Sequence, residues 1–303
     1  MKRLSIFFTD TDFVFVEKRR GFKKIKEYGT VKIPKGYIVN GIIEQFDELR
    51  ELVEYVINRT KISTKKVNLL LHEKIVSFKK YHIPEAVKKN GLQTFLETKF
   101  NVNLVLPFSD PVMDVKISDN NGQRDALIFA SSKSSLNSYI KLLESVGLSV
   151  VKTDVPSLAV HRAYSVTRKG VKDFDQNVMF VNVYKNMLSI NIFNNQYPIF
   201  SIVSDIQDIP NGNYQDFAQA VQDEIYRMNN YYVWNVNKGE TLITKAIIVP
   251  MTGDNELDEN IVRTIIDNNM TNIEHLIFYN PNEEDNLYDI YVKYILTMSN
   301  SLV

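Results

Sequence analysis

Residues 4–17 read LSIFFTDTDFVFVE, and residues 178–193 read VMFVNVYKNMLSINIF. In each stretch, two runs rich in β-branched and aromatic residues flank a short polar cluster, Thr9 to Asp12 in the first and Tyr184 to Asn186 in the second. This pattern predicts two β-hairpins. Because a third short strand, a long amphipathic helix and a further buried strand follow each hairpin, we predict a duplicated α/β unit with a cleft between its copies.

The composition of the chain favours a folded protein of two domains. Its 303 residues are enough to bury large cores, and 44% of them are hydrophobic. It contains no cysteine, which excludes disulfide scaffolds and thiolate chemistry and fits a reducing cytoplasm. No apolar run approaches the roughly 18 residues that span a bilayer, so we expect neither a transmembrane helix nor a signal peptide.

Charge is unevenly distributed, although the formal net charge is zero. Residues 201–303 hold 16 acidic and 5 basic side chains, a net charge of −11, so residues 1–200 carry +11. The densest basic run covers residues 18–26. Two interpretations stay open for this run: a solvated hairpin edge, or attraction to an anionic membrane surface or an acidic partner. No basic stripe with interleaved aromatic residues continues beyond it, which argues against nucleic acid.

The periodicity of apolar residues predicts the remaining elements. Helical spacing indicates a long helix over residues 41–60, and a continuous apolar run indicates a buried strand over 67–71. Residues 82–150, approximately, contain a short helix, a loop, a hairpin, a second helix over 134–146 and the start of a strand over 150–153. This block indicates a small α/β subdomain inserted into the first half. Near the C-terminus we predict a strand over 276–279 and a helix over 287–298.

These patterns divide the chain into two domains and a terminal segment. We predict a first domain over residues 1–170, which includes the inserted subdomain, and a second domain over 171–283. The terminal segment, 284–303, is predicted to form a helix that packs back on the first domain. No linker of low complexity separates the halves, so we expect them to be tightly coupled.

Four stretches resemble, in their order and spacing, motifs of the PilM family of type IV pilus assembly proteins within the actin-like ATPase superfamily. They are YHIP at 81–84, LPF at 106–108, the helix, glycine and strand over 139–154, and FAQAVQDEI at 217–225. The resemblance implies an actin-like, or ribonuclease H-like, duplicated α/β fold with a small subdomain inserted in the first half.

The resemblance also implies a function in pilus assembly, and many members of the family bind ATP between the two halves. It implies a cytoplasmic scaffold, peripheral to the inner face of the cell membrane, with a groove beside the inserted subdomain that binds the N-terminal cytoplasmic tail of a PilN-like membrane protein. A contact with the pilus motor ATPase is implied too, and membrane contact would be indirect, through the partner. We predict Phe95, Leu96 and Phe100 as groove residues; the alternative is that they pack inside the inserted subdomain.

The loops that would bind a nucleotide in this fold depart from the family pattern. Phosphate binding needs a glycine in both hairpin turns, so that backbone N–H groups can approach the phosphate oxygens. The first turn instead contains Asp10 and Asp12. The second begins at Asn182 and lacks both the family's Asp and its glycine, and the adenosine loop over 250–254 keeps only Gly253. We therefore predict no bound ATP or other cofactor, and no enzymatic activity.

Two other functions remain as alternatives. The chain could be an active actin-like ATPase with unusual phosphate loops, in which one carboxylate of the first turn helps to hold magnesium. It could also be the cytoplasmic domain of a GspL-type secretion protein, although no membrane helix follows the fold in this sequence. The four histidines lie at no metal-ligand spacing, and the sequence has no P-loop and no Gly-x-Ser-x-Gly motif.

Overall fold

Two sheets of the same topology form the core of the protein. The computed structural model describes residues 3–18, 25–100, 102–120, 123–167, 177–194, 197–206, 213–239, 243, 245–267, 273–275, 292–293, 295–297 and 299. In the first half, the helices and strands are β1 (Arg3–Phe8), β2 (Asp12–Lys18), β3 (Ile25–Lys32), β4 (Ile38–Val39), β5 (Ile42–Ile43), α1 (Phe46–Arg59), β6 (Lys66–Leu70), β7 (Val76–His82), α2 (Leu92–Lys99), β8 (Pro111–Asn120), β9 (Gln123–Ser132), α3 (Lys133–Ser145), β10 (Ser149–Asp154) and α4 (Pro156–Thr167). In the second half they are β11 (Val178–Val183), β12 (Met187–Asn194), β13 (Tyr197–Asp205), α5 (Tyr214–Tyr231), β14 (Lys245–Pro250), α6 (Asn255–Asp267) and β15 (Ile273–His275).

The strand order of the two halves is equivalent. The first sheet has the order β10-β6-β1-β2-β3, and the second has β15-β14-β11-β12-β13. In both sheets, the two hairpin strands and the third strand pair antiparallel to their neighbours. The two strands on the other side of the hairpin run parallel to its first strand. The predicted duplication of one α/β unit is therefore confirmed.

Apolar side chains cover both faces of each sheet, which explains the nearly continuous apolar runs in the strands. Helices α1 and α3 pack on the outer face of the first sheet, and α5 and α6 pack on the outer face of the second. Between the sheets, one core joins Phe7 and Val14 of the first hairpin to Phe180 of the second, together with Ala159 of α4. This shared core holds the two hairpins at a common cleft.

The end of the chain contacts the first sheet. Val292, Ile295 and Leu296 belong to the core between the sheets. The Ser299 hydroxyl lies 2.9 Å from the Ser5 hydroxyl, and its carbonyl accepts a hydrogen bond of 3.1 Å from Asn68 Nδ2. The strand predicted over 276–279 and the domain limits predicted at 170 and 283 lie outside the described residues. Among the described helices, none is long and apolar enough to cross a membrane.

The inserted subdomain is a three-stranded sheet of order β7-β9-β8 with α2 on one face. The predicted block over 82–150 differs from it at both ends. The sheet already begins with β7 at Val76, whereas α3 and β10 belong to the first sheet, because Tyr139 and Leu142 are buried in its core and β10 pairs in parallel with β6. Apolar spacing identified these elements but could not show which sheet each one joins.

The helix predicted over 41–60 begins later than expected. Asn40 and Gly41 have positive φ angles, 53° and 76°, and form the turn between the short strands β4 and β5. Helix α1 starts only at Phe46. A left-handed backbone conformation cannot continue into an α-helix, so the predicted start at Gly41 is wrong.

Candidate functional site

The tips of the two equivalent hairpins meet in the cleft between the sheets. Each turn is closed by one backbone hydrogen bond, from Thr9 N to Asp12 O at 2.9 Å and from Tyr184 N to Met187 O at 2.9 Å. Across the cleft, Asn186 Nδ2 donates a hydrogen bond of 3.2 Å to Asp10 Oδ2. A direct side-chain contact therefore joins the two turns.

Asp10 is the centre of this contact, because three hydrogen-bond donors and the His72 ring surround its carboxylate. The backbone N–H groups of Asn40 and Gly41 donate to its two oxygens at 3.2 Å and 2.9 Å, and Asn186 supplies the third donor. His72 Nε2 lies 3.1 Å from Oδ1, a close contact that lacks hydrogen-bond geometry. Burial raises the pKa of Asp10, but the contacts with His72, Gly41 and Asn186 outweigh it and lower the pKa to about 2. The carboxylate is therefore ionised and already coordinated by protein groups.

His72 and Gly41 fit each other closely. The Lys74 backbone N–H donates to His72 Nδ1 at 3.1 Å, which assigns the imidazole proton to Nε2, the atom facing Asp10. A Cβ atom at Gly41 would lie 2.7 Å from His72 Nδ1, so this site excludes any larger residue. The buried Tyr139 hydroxyl donates to the Gly41 carbonyl at 3.0 Å, and burial followed by the Asp10 charge raises the pKa of Tyr139.

Glu73 forms a second contact between the halves. Its Oε1 accepts hydrogen bonds of 3.1 Å from Asn182 Nδ2 and from the Tyr184 hydroxyl, both of which belong to the second hairpin. Burial raises the pKa of Glu73 despite these donors. Asn182 Oδ1 is buried and has no hydrogen-bond partner among the described residues. The amide of Asn182 is thus directed at a carboxyl group of the first half.

Lys74 connects groups at the outer side of the cleft. Its Nζ donates to Asn40 Oδ1 at 2.6 Å and forms an ion pair with Asp205 at the end of β13. The consecutive residues His72, Glu73 and Lys74 therefore all contact groups beside the cleft. We name the set Asp10, Asn40, Gly41, His72, Glu73, Lys74, Asn182, Tyr184 and Asn186 the cleft network.

The other two candidate positions lie apart from the cleft network. Asp12 forms an ion pair of 2.8 Å with Lys32 of β3 and accepts a hydrogen bond of 2.6 Å from the Thr11 hydroxyl. Gly253 has a positive φ of 80° in the loop after β14. The next residue, Asp254, accepts hydrogen bonds from the Tyr214 hydroxyl at 2.9 Å and from the backbone N–H of Leu257 at 3.2 Å, so this loop is fixed to α5 and α6.

A cavity of about 540 Å³ opens beside the cleft network. Asp10, Lys35, Lys185 and Asn186 line it together with apolar side chains such as Ile38. Both lysines are exposed, and the Asp10 carboxylate is already surrounded by donors. Within the part of the chain that the structure describes, no three His, Cys, Asp or Glu side chains are grouped as a metal site.

Sequence reasoning missed His72, Glu73 and Lys74. It noted only that the four histidines lie at no metal-ligand spacing, and it assigned no role to Glu73 or Lys74. The signal was present in the predicted strand over 67–71: in a parallel sheet, the residues that follow a buried strand lie at the edge where open α/β folds bind ligands. Because β6 runs parallel to β1, residues 72–74 come to lie beside the turn that contains Asp10.

The predicted partner residues lie in the inserted subdomain. Leu96 is buried in the core between α2 and the three-stranded sheet, and Phe95 and Phe100 are partly buried against the same core. The Phe95 ring packs edge-on against Tyr81, with the ring centroids 6.2 Å apart. The side chain of Leu96 therefore packs in the hydrophobic core of the subdomain.

A groove separates the inserted sheet from the first sheet. It encloses a cavity of about 150 Å³. One wall comes from the first sheet and α4, and the other from β8 and β9. The residues that line it are Leu71, Val76, Val112, Met113, Asp114, Phe129, Ala130, Ser131, Leu136, Thr153, Asp154, Val155 and Leu158. We name this the insert groove.

Comparison with known families shows to which family this chain belongs. The family of the type IV pilus assembly protein PilM matches residues 8–204. The chain belongs to the PilM family. The match covers the first sheet apart from most of β1, the inserted subdomain and the second hairpin, and therefore all nine residues of the cleft network. Among curated proteins, no sequence matches the chain.

Solved structures confirm the actin-like fold of this PilM family member. The protein of a PilM-PilN type IV pilus biogenesis complex superposes with a TM-score of 0.77 at 12% identity, over 99% of this chain and 98% of that one. The cytoplasmic domain of EpsL, an inner membrane component of the Vibrio cholerae type II secretion system, gives 0.54 at 12% identity, over 99% and 94%. A Bacteroides thetaiotaomicron protein of unknown function with an actin-like ATPase fold gives 0.53 at 14% identity, over 98% and 95%. This fold serves in both pilus and secretion assemblies.

Proposed function

We propose that this PilM family member is a non-enzymatic adaptor of the type IV pilus machinery. It binds the N-terminal cytoplasmic tail of a PilN-like inner membrane protein and links that protein to the motor ATPase. It is cytoplasmic and reaches the membrane only through this partner. The similarity to the protein of a PilM-PilN complex, over nearly the full length of both chains, supports the assignment of the partner.

The state of Asp10 is the observation that supports a scaffold without nucleotide. A polyphosphate entering the cleft would meet an ionised carboxylate and would compete with it for the amides of Asn40 and Gly41. At about 4 Å, two like charges repel by roughly 4 kcal/mol at the effective dielectric near a protein surface. The cleft network also joins the hairpins directly, so the two halves are held together by protein groups.

The insert groove supports the tail-binding part of the proposal. Its apolar lining, including Leu71, Val112 and Leu158, suits the apolar side chains of an extended segment. Strand β8 is the edge of the inserted sheet beside this groove, so an extended tail can add to it by main-chain hydrogen bonds. The predicted contacts of Phe95 and Phe100 with the tail remain part of this proposal.

A titration with a synthetic tail peptide tests the proposal. The peptide is the N-terminal segment of a PilN-like protein, whose gene we expect beside the gene of this protein, and calorimetry measures its affinity. Val112→Asp places a charge in the insert groove and should weaken binding about tenfold or more. Val105→Asp is the matched control, because Val105 is 66% exposed and lies outside the groove; its affinity should be unchanged. Equal losses in both variants, or no binding to wild type, would count against the proposal.

A second titration, with ATP and magnesium, tests the prediction that the protein binds no nucleotide. We expect no saturable heat, because the Asp10 carboxylate would repel the phosphates and already accepts from the amides of Asn40 and Gly41. Saturable binding with a measurable hydrolysis rate would instead establish an active actin-like ATPase. Binding that is lost in the Lys185→Ala variant would locate the nucleotide in the cavity beside Asp10.

A further inference from the structure

Cations of three neighbouring strands lie at one end of the first sheet. Arg3 begins β1, Lys18 ends β2 and Lys66 begins β6. Arg3 and Lys18 are partners in the ladder, and the pairing of Leu4 with Val67 places Lys66 beside Arg3. Because neighbouring strands lie about 5 Å apart, these three positions span roughly 10 Å.

The segment between α1 and β6 brings further lysines to this end. Lys61 and Lys65 lie on it, and the Lys61 carbonyl accepts a hydrogen bond of 2.7 Å from Lys26 Nζ. Lys61, Lys65 and Lys66 are exposed, and none of the three forms an ion pair with another described residue. We name the set Arg3, Lys18, Lys26, Lys61, Lys65 and Lys66 the basic end.

A buried glutamate holds this segment in place. Glu17 Oε1 accepts hydrogen bonds from the backbone N–H groups of Ser63 at 3.0 Å and Thr64 at 2.8 Å. The other oxygen, Oε2, forms an ion pair of 3.0 Å with Lys26. The backbone that carries the lysines of the segment therefore has a fixed position, which lowers the entropy cost of ordering it on a ligand.

Protection of a sheet edge does not explain these cations. Lysines have that role on outer strands, whereas β1, β2 and β6 each pair with a strand on both sides. Among the described residues, the acidic side chains at this end are Glu17, Glu27 of β3 and Glu144 near the end of α3, against six cations. The sequence between Lys18 and Ile25 contains four more cations. Positive charge is therefore in excess at the basic end.

An acidic protein segment fits the basic end better than a membrane surface does. Insertion into a bilayer needs exposed apolar side chains beside the cations. Ile62, the one apolar residue between α1 and β6, instead packs against the core of the first sheet. The insert groove, which Leu71 lines, lies at the opposite end of β6. Under the proposed function the tail of the membrane protein binds in that groove, so the basic end lies on the side away from the membrane.

We propose that the basic end is a docking site for an acidic segment of a partner protein, whose carboxylates pair with Lys61, Lys65 and Lys66. This site goes beyond the proposed function, and it rests on that function only in the preference for a protein over a membrane. Lys66 and Leu71 are five residues apart along β6 and its end, or roughly 17 Å in extended backbone. One chain therefore has room for a PilN-like tail and an acidic partner at the same time.

Two capped peptides of equal length test this inference. In the first, glutamate alternates with serine; in the second, glutamine replaces each glutamate. The fluorescence anisotropy of a label on the peptide measures binding to the full chain. The acidic peptide should bind, and its affinity should fall as salt is added, because salt screens exposed charges. The neutral peptide should not bind under the same conditions. Equal binding of both peptides, or no binding of the acidic peptide to wild type, would overturn the proposal.

Variants separate a specific site from general charge attraction. Lys65→Glu combined with Lys66→Glu should weaken binding of the acidic peptide about tenfold or more, and the corresponding pair of Gln substitutions by a smaller factor. Lys88→Glu combined with Lys133→Glu makes the same change in net charge at exposed positions outside the basic end, and should leave the affinity within about twofold. Thermal unfolding checks that each variant is folded. Equal losses in the two Glu pairs would contradict a site at the basic end.

Vesicles of phosphatidylglycerol and phosphatidylcholine in equal parts test the membrane alternative. Wild type should stay in the supernatant when the vesicles are sedimented at physiological salt. Cosedimentation that is lost in the Lys65→Glu and Lys66→Glu pair would assign the basic end to the membrane and overturn the proposal.

The two docking proposals can fail independently. Val112→Asp alters the insert groove and should leave binding of the acidic peptide unchanged, whereas the Lys65→Glu and Lys66→Glu pair should leave binding of the PilN-like tail unchanged. Loss of acidic-peptide binding in Val112→Asp would show that both ligands share one site, which contradicts a separate site at the basic end.

Discussion

Removing the Asp10 carboxylate should destabilise the protein by about 3 kcal/mol at pH 6. In Asp10→Ala, three hydrogen-bond donors lose one charged acceptor, and a hydrogen bond to a charged group contributes about 1.5–3 kcal/mol. The total stays below the sum of three such bonds, because the cavity beside Asp10 lets water reach the amides of Asn40 and Asn186. The Gly41 amide and the buried His72 ring, which loses the neighbouring charge, account for most of the loss.

The pH dependence gives an independent estimate for the same group. A shift of the Asp10 pKa from 3.8 to about 2 corresponds to about 2 kcal/mol, which partial exposure reduces to about 1–2. Because the folded-state pKa is lowered, this stability is present above pH 3.8 and is lost as the pH falls toward 2. The difference between wild type and Asp10→Ala should therefore be smaller at pH 2.5 than at pH 6.

Urea unfolding of both proteins at the two pH values measures these quantities. Asp47→Ala is the control, because the Asp47 side chain is 85% exposed and its removal should change the free energy of unfolding by no more than about 0.5 kcal/mol. A cycle with Asn186→Ala should give a coupling energy of about 1 kcal/mol between the hairpins. A cost below that of the control, or zero coupling with Asn186, would refute the assignment of Asp10 as the link across the cleft.

Three further substitutions follow from the same structure. Gly41→Ala should lower the free energy of unfolding by about 2–3 kcal/mol in urea, because the new Cβ meets His72 at a positive φ; an unchanged midpoint would show that His72 can move away. Burial, with Arg162, lowers the pKa of His161 to about 4, so the stability of wild type relative to His161→Leu should fall by about 3 kcal/mol as the pH falls from 6.5 to 4 in thermal scans; an unchanged difference would refute it. Burial raises the pKa of Asp258 to about 7, so the ionisation of this side chain destabilises the fold increasingly as the pH rises from 3.8 to 7; the stability of Asp258→Asn relative to wild type should be about 4 kcal/mol greater at pH 8 than at pH 4, and an equal difference at both values would exclude ionisation as the cause.

Local patterns in the sequence predicted the duplication because they report on local structure. The clusters at Thr9 to Asp12 and at Tyr184 to Asn186 are turn sequences between β-rich runs, and both hairpins form as predicted. The start of α1 was mispredicted, since apolar periodicity does not register the left-handed conformation at Gly41. Sheet membership of β10 was also missed, because it depends on a parallel pairing with a strand far away in the sequence.

The cleft network could not be predicted from local patterns, since its members come from distant parts of the chain. Asp10 and Asn186 are separated by 176 positions, and Glu73 and Tyr184 by 111. Sequence reasoning identified Asp10 and Asn182 only as departures from a phosphate-binding motif. Their actual partners depend on how the core between the sheets orients the hairpins, which no motif records.

The departures of the two turns from the family's phosphate-binding pattern are physically linked. A carboxylate at Asp10 without partners would repel a phosphate and would also be poorly solvated inside a cleft between two sheets. The groups around Asp10 are of the kind that a phosphate could also contact. They are the backbone amides of Asn40 and Gly41, the side-chain amide of Asn186 and the imidazole of His72. A glycine placed at Thr11 alone would therefore leave Asp10 bound to the same three donors and in contact with His72. Under the proposed function, restoring nucleotide affinity requires removal of the Asp10 carboxylate first, because as long as it remains, the donors of the cleft are already engaged.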